Sequence, residues 1–307
     1  MAHFVKIASV LFASEAHKGQ AGALETVLAE TRRAMSSLRG YELDLVAFSE
    51  GIEAVGQTLA DAESPEHPGP LLELYRAFAI SEQCHVAGSI KLTEDGHVYN
   101  ALAFLGPEGQ FLGAYYKVNL TIGEIESGLR SGTDAVAIDT NIGRLGGIIC
   151  FDLNFEDIRR QYRRLRPDIL VFASMYHGGF VQRVWAYECQ SYFVSALPFI
   201  GGGILDPFGD PIALTDCYTS VAMARVNLDR ALIHLDYNVD KLPTIARKYL
   251  DQVQIVVPPN VGTALIVSQS QERTAMDIVR EFELELVDDY FQRSLAANAR
   301  NRSPIAS

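Results

Sequence analysis

The sequence is short of basic charge. Lys and Arg number 26 against 38 Asp and Glu, so the formal charge is −12 over 307 residues. That balance excludes nucleic acid and anionic membrane as expected partners, since both need a basic face. No stretch of about 18 apolar residues occurs, so no transmembrane helix is expected. The start, Met1-Ala2-His3-Phe4-Val5-Lys6, has no charged lead into a long apolar core, and no signal peptide is read there. Cysteine is scarce: Cys84, Cys150, Cys189 and Cys217 are far apart and show no C-x-x-C spacing. Without a secretory signal they read as free thiols in a reducing, cytoplasmic compartment. H-E-x-x-H is missing, and the seven histidines include no pair at metal-ligand spacing, so no metal is expected. There is no P-loop and no G-x-S-x-G elbow. Gly201-Gly202-Gly203 does not form G-x-G-x-x-G, and reads as a tight bend or bulge rather than a phosphate cradle.

What is present is an ordinary globular balance, with 48% hydrophobic and 21% charged residues. A chain this long buries roughly three quarters of its unfolded surface, so it needs no disulfide or metal staple. Strand-like and helix-like segments alternate. Strands are predicted over 5–12, 43–48, 85–90, 98–105, 110–116, 135–138, 145–150 and 168–173. Helices are predicted over 21–38, 71–83, 155–166 and 181–193, and a last amphipathic helix over 272–297. Gly106-Pro107-Glu108-Gly109 reads as a hairpin turn, and 194–226 as strand-rich. The pattern is one α/β domain with mixed sheets over 1–270, followed by a helical extension over 271–307. That extension is expected to pack on the core or on a second subunit.

Three strand ends carry chemistry. Glu50 follows the buried run Leu45-Val46-Ala47-Phe48. Lys117 follows Tyr115-Tyr116. Cys150 closes Gly146-Gly147-Ile148-Ile149, just before a turn and a helix. Active residues of open α/β sheets sit at such carboxyl ends. Taken alone, Cys150 reads equally well as one more small core residue, and a lone charge after a strand as the first solvated position.

The ordered set resembles the nitrilase superfamily of carbon–nitrogen hydrolases. The resemblance rests on Phe48-Ser49-Glu50, Gly113-Ala114-Tyr115-Tyr116-Lys117 and Ile149-Cys150-Phe151-Asp152. Asn100, the run 168–174 and Asp206-Pro207-Phe208-Gly209 match further landmarks. The likeness runs from about residue 4 to 257. It implies a four-layer α-β-β-α sandwich. It makes Glu50 the general base, Lys117 the cationic stabiliser and Cys150 the nucleophile. Glu124 matches a second family glutamate, with Glu126 as a nearby competitor that reads better as a loop carboxylate. Phe151 supplies a backbone N–H for the oxyanion, and the loop Met175-Tyr176-His177 borders the substrate pocket. His177 reads equally as a surface loop residue.

The sequence departs from the family in places. Phe155-Glu156-Asp157 stands where many members read F-P-E, which leaves the helix start acidic and matched to its dipole. Asn119 stands where carbamoyl-amino-acid hydrolases often have a histidine. Leu153-Asn154 replaces arginines that some of them use on a substrate carboxylate. Phe151-Asp152 replaces the Trp-Glu common in nitrilases proper. A small neutral amide is therefore the expected substrate. Carbamoyl or nitrile hydrolysis and acyl transfer are the alternatives within the enzyme class. A catalytically silent metabolite- or partner-binding oligomer is the alternative outside it. No cofactor is expected, and a homodimer or larger homo-oligomer is. Glu188 and the arginines from Arg159 to Arg166 read as structural and solvated. Trp185 reads as a core or interface residue, and Cys84, Cys189 and Cys217 read as buried.

Overall fold

The computed structural model describes residues 1–12, 17, 20–52, 55–302. The last five positions of the expected extension, 303–307, lie outside the described residues. The chain divides into two compact units: Val5–Arg225, and Met1–Phe4 together with the residues from Val226 onward.

The first unit holds two six-stranded sheets. One is built from β1 (Phe4–Val10), β2 (Leu45–Ala47), β3 (His85–Glu94), β4 (His97–Leu105), β5 (Phe111–Tyr116) and β12 (Val221–Asn227), in the order β12-β1-β2-β3-β4-β5. The other contains β6 (Ala137–Thr140), β7 (Gly143–Ile149), β8 (Ile169–Ala173), β9 (Tyr192–Ala196), β10 (Gly203–Leu205) and β11 (Pro211–Leu214), in the order β11-β10-β9-β8-β7-β6. Both are mixed: β1-β2-β3 and β7-β8-β9 run parallel, while β3-β4-β5 and β9-β10-β11 are antiparallel. The central strands are buried on both faces, which explains their unbroken apolar runs.

Helices α1 (Ala23–Ser37) and α2 (Pro70–Glu82) cover the first sheet, and α4 (Glu156–Leu165) and α5 (Phe180–Cys189) cover the second. The inner faces of the sheets pack on each other through β4 and β5 against β7, β3 against β8, and β2 against β9. This is the expected four-layer α-β-β-α sandwich.

Gly146 and Gly147 show why the sequence has no side chain there. A Cβ on Gly147 would lie 2.9 Å from Tyr115 Cβ on the opposite sheet, and one on Gly146 would lie 2.7 Å from the Tyr162 ring of α4. The strand is pressed from both sides just before the residues that lead into Cys150.

The second unit has a three-stranded antiparallel sheet, in which β15 (Thr263–Ser268) lies between β13 (Arg230–His234) and β14 (Val253–Val256). α6 (Leu242–Tyr249), α7 (Ala275–Glu281) and α8 (Val287–Arg302) complete it. α7 packs on β13 and β15, so the segment after residue 270 shares a core with the segment before it.

Three expectations need correction. The helix expected over 181–193 ends at Cys189, with Gln190 in the left-handed region, and Tyr192 and Phe193 belong to β9. The helix expected over 272–297 is two helices, broken between Phe282 and Leu286 where Glu283 takes a φ of 49°. Cys217 is exposed, whereas Cys84 and Cys189 are buried as expected.

Candidate active site

Three of the candidate side chains, Lys117, Glu50 and Cys150, follow strand ends. Lys117 follows β5, and its N–H donates to Asn100 O at 2.9 Å, extending the β4–β5 ladder by one residue. Glu50 follows β2. Before it, Phe48 N–H bonds Ala87 O at 2.9 Å and the Ser49 hydroxyl donates to Phe12 O at 3.1 Å. Cys150 follows β7 and opens the 3-10 turn Cys150–Asn154 with a φ of 46°. A left-handed conformation costs a residue with a Cβ roughly 1–2 kcal/mol, so the surrounding packing must enforce it.

The side chains meet in one buried network. Lys117 Nζ donates to Glu50 Oε1 at 3.0 Å and to Glu124 Oε1 at 2.8 Å. Asn100 Nδ2 donates to the same two oxygens, each at 2.9 Å. Glu50 Oε2 accepts from Met175 N at 2.9 Å. Glu124 Oε2 accepts from the Thr121 N–H at 2.8 Å and hydroxyl at 2.9 Å, which is a reciprocal cap at the start of α3 (Ile122–Glu126). The Lys117 and Glu50 side chains are 1% and 5% exposed, so neither charge has water to rely on.

That burial decides the protonation states. Burial and the nearby Glu50 push the Cys150 thiol up to about 12, against the pull of Lys117 and a hydrogen bond with Ser174. The thiol is therefore protonated at neutral pH. Burial alone would lower Lys117, but the carboxylates of Glu50 and Glu124 hold it above its ordinary value, so it stays an ammonium. Burial likewise opposes the charge on Glu124, and Lys117 with the Thr121 and Asn100 bonds still brings that carboxyl below its ordinary value.

Asp152 lies within the cysteine turn, fully buried. Its Oδ2 accepts from Tyr115 O–H at 2.8 Å, and its Oδ1 from Asn119 N at 2.6 Å and Nδ2 at 3.1 Å. Burial lifts it to about 6 despite those bonds.

The sequence-predicted residues fall into place unevenly. Glu50, Lys117, Glu124 and Cys150 come together. Phe151 is partly exposed, and its ring packs edge-on against Phe155. Met175 reaches the network through its backbone. Tyr176 is exposed, and its hydroxyl donates to Asn154 Oδ1 at 3.3 Å. His177 is exposed and its Nδ1 accepts from Gly179 N at 3.1 Å, so that nitrogen is engaged locally. Glu126 is exposed at the end of α3. Glu188 pairs with Arg159 at 2.8 Å and is not in the network. Sequence reasoning gave no task to Asn100, to Met175 N–H or to Asp152. The first carried a family signal, and a backbone amide carries none. Among the described residues no three His, Cys, Asp or Glu side chains group to hold a metal ion. No described helix is long and apolar enough to cross a membrane.

The carbon-nitrogen hydrolase family model matches residues 6–231, which contain the whole network. The chain belongs to the carbon–nitrogen hydrolase family. It is an enzyme that hydrolyses carbon–nitrogen bonds other than peptide bonds. Among curated relatives, Omega-amidase NIT2 of Homo sapiens is 24% identical over 198 residues, covering 55% of this chain and 67% of that protein. XC1258 from Xanthomonas campestris, a CN-hydrolase superfamily protein, shares the fold with a TM-score of 0.63 at 17% identity, over 83% of this chain and 100% of that one. A mutant amidase from Nesterenkonia sp. AN1 shares it with a TM-score of 0.62 at 15% identity, over 81% and 97%. In that structure the acetamide moiety of fluoroacetamide is covalently added at the active site cysteine.

Proposed function

We propose that this carbon–nitrogen hydrolase cleaves a small neutral amide through a thioester on Cys150, with Glu50 as base and acid and Lys117 as the oxyanion's cation. The observation that carries the reading is the buried Lys117 ammonium shared by Glu50 and Glu124 beside a thiol that is protonated at rest. Such a thiol needs a base at the moment of attack, and Glu50 is the carboxylate whose hydrogen bond reaches it.

As sulfur attacks the carbonyl carbon, the S–H proton passes to Glu50 and the carbonyl π pair moves to oxygen. Lys117 and the Phe151 N–H receive the oxyanion. A single donor of this kind is worth about 3 kcal/mol in the barrier. Glu50 then gives its proton to the leaving nitrogen as the C–N bond breaks, freeing ammonia or an amine. A water activated by Glu50 adds to the thioester, and the acid leaves as the proton returns to sulfur. The amide class is supported by the omega-amidase and amidase names of the relatives. The exposed residues nearest Cys150 in the chain and after β8, Phe151, Asn154 and Tyr176, carry no charge, which fits a neutral substrate.

Self-association fits the apolar residues that stand exposed, Phe180, Phe199 and Ile200 in the first unit and Leu295 on α8. The four free thiols fit a reducing, cytoplasmic setting. Light scattering on the purified protein reads the oligomer count, and a monomer would remove that part of the reading.

The experiment for the reaction is ammonia release from a panel of primary amides, N-carbamoyl compounds and nitriles, comparing wild type with Cys150→Ala. Release by wild type alone, highest with amides, is expected. Equal release by Cys150→Ala overturns the nucleophile, and release only from another panel member moves the substrate class. An acyl adduct on Cys150 discharged by an added amine but not by water would identify acyl transfer.

A further inference from the structure

Asn100 has a more specific place than a landmark needs. It lies in β4, directly opposite Lys117, and is 5% exposed. Its Nδ2 sends one N–H to Glu50 Oε1 and the other to Glu124 Oε1. Lys117 Nζ donates to the same two oxygens, so two donors and two acceptors alternate around a closed ring. The amide oxygen, Asn100 Oδ1, is buried with no hydrogen-bond partner. An unpaired buried acceptor is costly, and an apolar side chain of the same size would avoid the cost. The donor end is what the site uses.

The ring also divides the two oxygens of Glu50. Oε1 accepts from both Lys117 and Asn100, whereas Oε2 accepts from Met175 N. A carboxylate oxygen has two lone-pair sites. We infer that Asn100 is a positioning residue for the proposed reaction: it fixes Glu50 Oε1 in the ring and leaves Oε2 as the oxygen that takes the Cys150 proton and returns it to the leaving nitrogen. The inference rests on the Cys150–Glu50 reading above. One proton moves from sulfur to Oε2 while the S–C bond forms, and from Oε2 to nitrogen while the C–N bond breaks. Asn100 itself exchanges none.

Electrostatics give the test its direction. The charged and titratable groups facing Glu50 are Lys117 after β5, Glu124 from α3 and Cys150 after β7, while β4 and the loop after β8 offer only the neutral donors Asn100 and Met175 N–H. Two carboxylates share one cation, and the Asn100 N–H groups lie between them. Without those groups the pair takes up a proton more readily.

The experiment uses the full-length enzyme as wild type, Asn100→Leu and Asn100→Asp. Two pH profiles are measured. One is kcat/KM on the best amide from the panel, and the other is the rate at which iodoacetamide alkylates Cys150, read by peptide mass. In both variants the acid limb of both profiles is expected to move up by about one pH unit. kcat is expected to fall roughly 100-fold with KM little changed, because the residue acts through Glu50 and not on the substrate. Profiles that stay at the wild-type position in both variants overturn the inference, and so does a raised KM at unchanged kcat. If Asn100→Leu does not fold, Asn100→Asp, which differs only at the amide nitrogen, carries the test. A wild type whose Cys150 alkylates no faster than the buried thiols Cys84 and Cys189 would instead overturn the Cys150 reading, before any Asn100 variant is compared.

Discussion

Tyr115 and Asp152 join the two sheets at the active site. The Tyr115 hydroxyl donates to Asp152 Oδ2 at 2.8 Å, from two residues before Lys117 to two residues after Cys150. Asn119, two residues after Lys117, donates twice to Asp152 Oδ1. The lysine is thus clamped from both sides to the turn that carries the thiol. The spacing between Lys117 and Cys150 is set by this buried carboxylate as well as by the packing of the sheets.

The same carboxylate gives a pH signature. Burial raises Asp152 to about 6, above the ordinary aspartate value of 3.8. The folded state therefore keeps a proton that the unfolded chain releases. The stability this contributes is full below about pH 4 and is lost as pH rises through about 6, on the order of 2–3 kcal/mol for a shift of two units. Asp152→Asn is nearly isosteric and has no such titration. Urea midpoints at pH 4 and pH 7.5 are expected to show the variant gaining on wild type by that order between the two. An equal difference at both pH values would contradict the assignment.

Lys117 is the next test. Removing one partner of a buried pair costs about 3–5 kcal/mol, because the remaining charge stays buried without compensation. Lys117→Met leaves two carboxylates facing each other and is expected to lose at least that much in urea denaturation. Lys117→Arg keeps the charge, but a broad planar fork does not fit where one nitrogen bonds two oxygens at 2.8 and 3.0 Å. It is expected to fold better than the Met variant and still lose turnover. Near-normal kinetics in Lys117→Arg would remove the requirement for a compact ammonium.

Glu124 and Glu126 separate by geometry. Glu124 is tied to Lys117, Asn100 and Thr121, whereas Glu126 is exposed. Glu124→Gln is expected to lower kcat roughly 100-fold and Glu126→Gln to leave it unchanged. Because Glu124 lies below its ordinary value of 4.5 in the folded protein, its stabilisation is present above that value and lost as pH falls through the folded one. Thermal melts between pH 3 and pH 6 are expected to show a shallower acid loss in Glu124→Gln. Matching slopes would count against the paired state.

Much of this was legible in the sequence, for identifiable reasons. The buried strands before Glu50 and Cys150 are written as apolar runs, but those runs left the residues after them open, and the grouping of Glu50, Lys117 and Cys150 was legible through the family resemblance. Trp185 reads as core or interface and is fully buried within the chain, its Nε1 donating to Leu153 O at 2.8 Å. The α5–β9 boundary was not legible: Tyr192-Phe193-Val194 extends the helical spacing of α5 equally well, and no Gly or Pro marks the change. The break between α7 and α8 was hidden the same way, since Phe282 and Leu286 keep the helical period across a left-handed Glu283. Side-chain donors such as Asn100 and backbone donors such as Met175 N–H become visible only when separate strand ends are brought together.

Glu63 is a further case that spacing could not reveal, and it supports a test away from the chemistry. It is buried before α2, and its carboxylate accepts from Gly69 N at 2.9 Å, Leu71 N at 3.0 Å and Leu72 N at 2.9 Å. Those are free N–H groups at a helix start, and Pro70 between them has none to satisfy. The negative charge also faces the positive end of the helix dipole. A Cβ on Gly69 would lie 2.7 Å from the Glu63 side chain, so the small residue there makes room for the carboxylate. Glu63→Gln turns an amide N–H₂ toward N–H donors, and Gly69→Ala displaces the carboxylate. Each is expected to cost about 2 kcal/mol in urea denaturation. kcat per folded molecule is expected to stay at the wild-type level, because α2 supplies no side chain to the network around Glu50. A loss of kcat without a loss of stability would instead place Glu63 in the reaction.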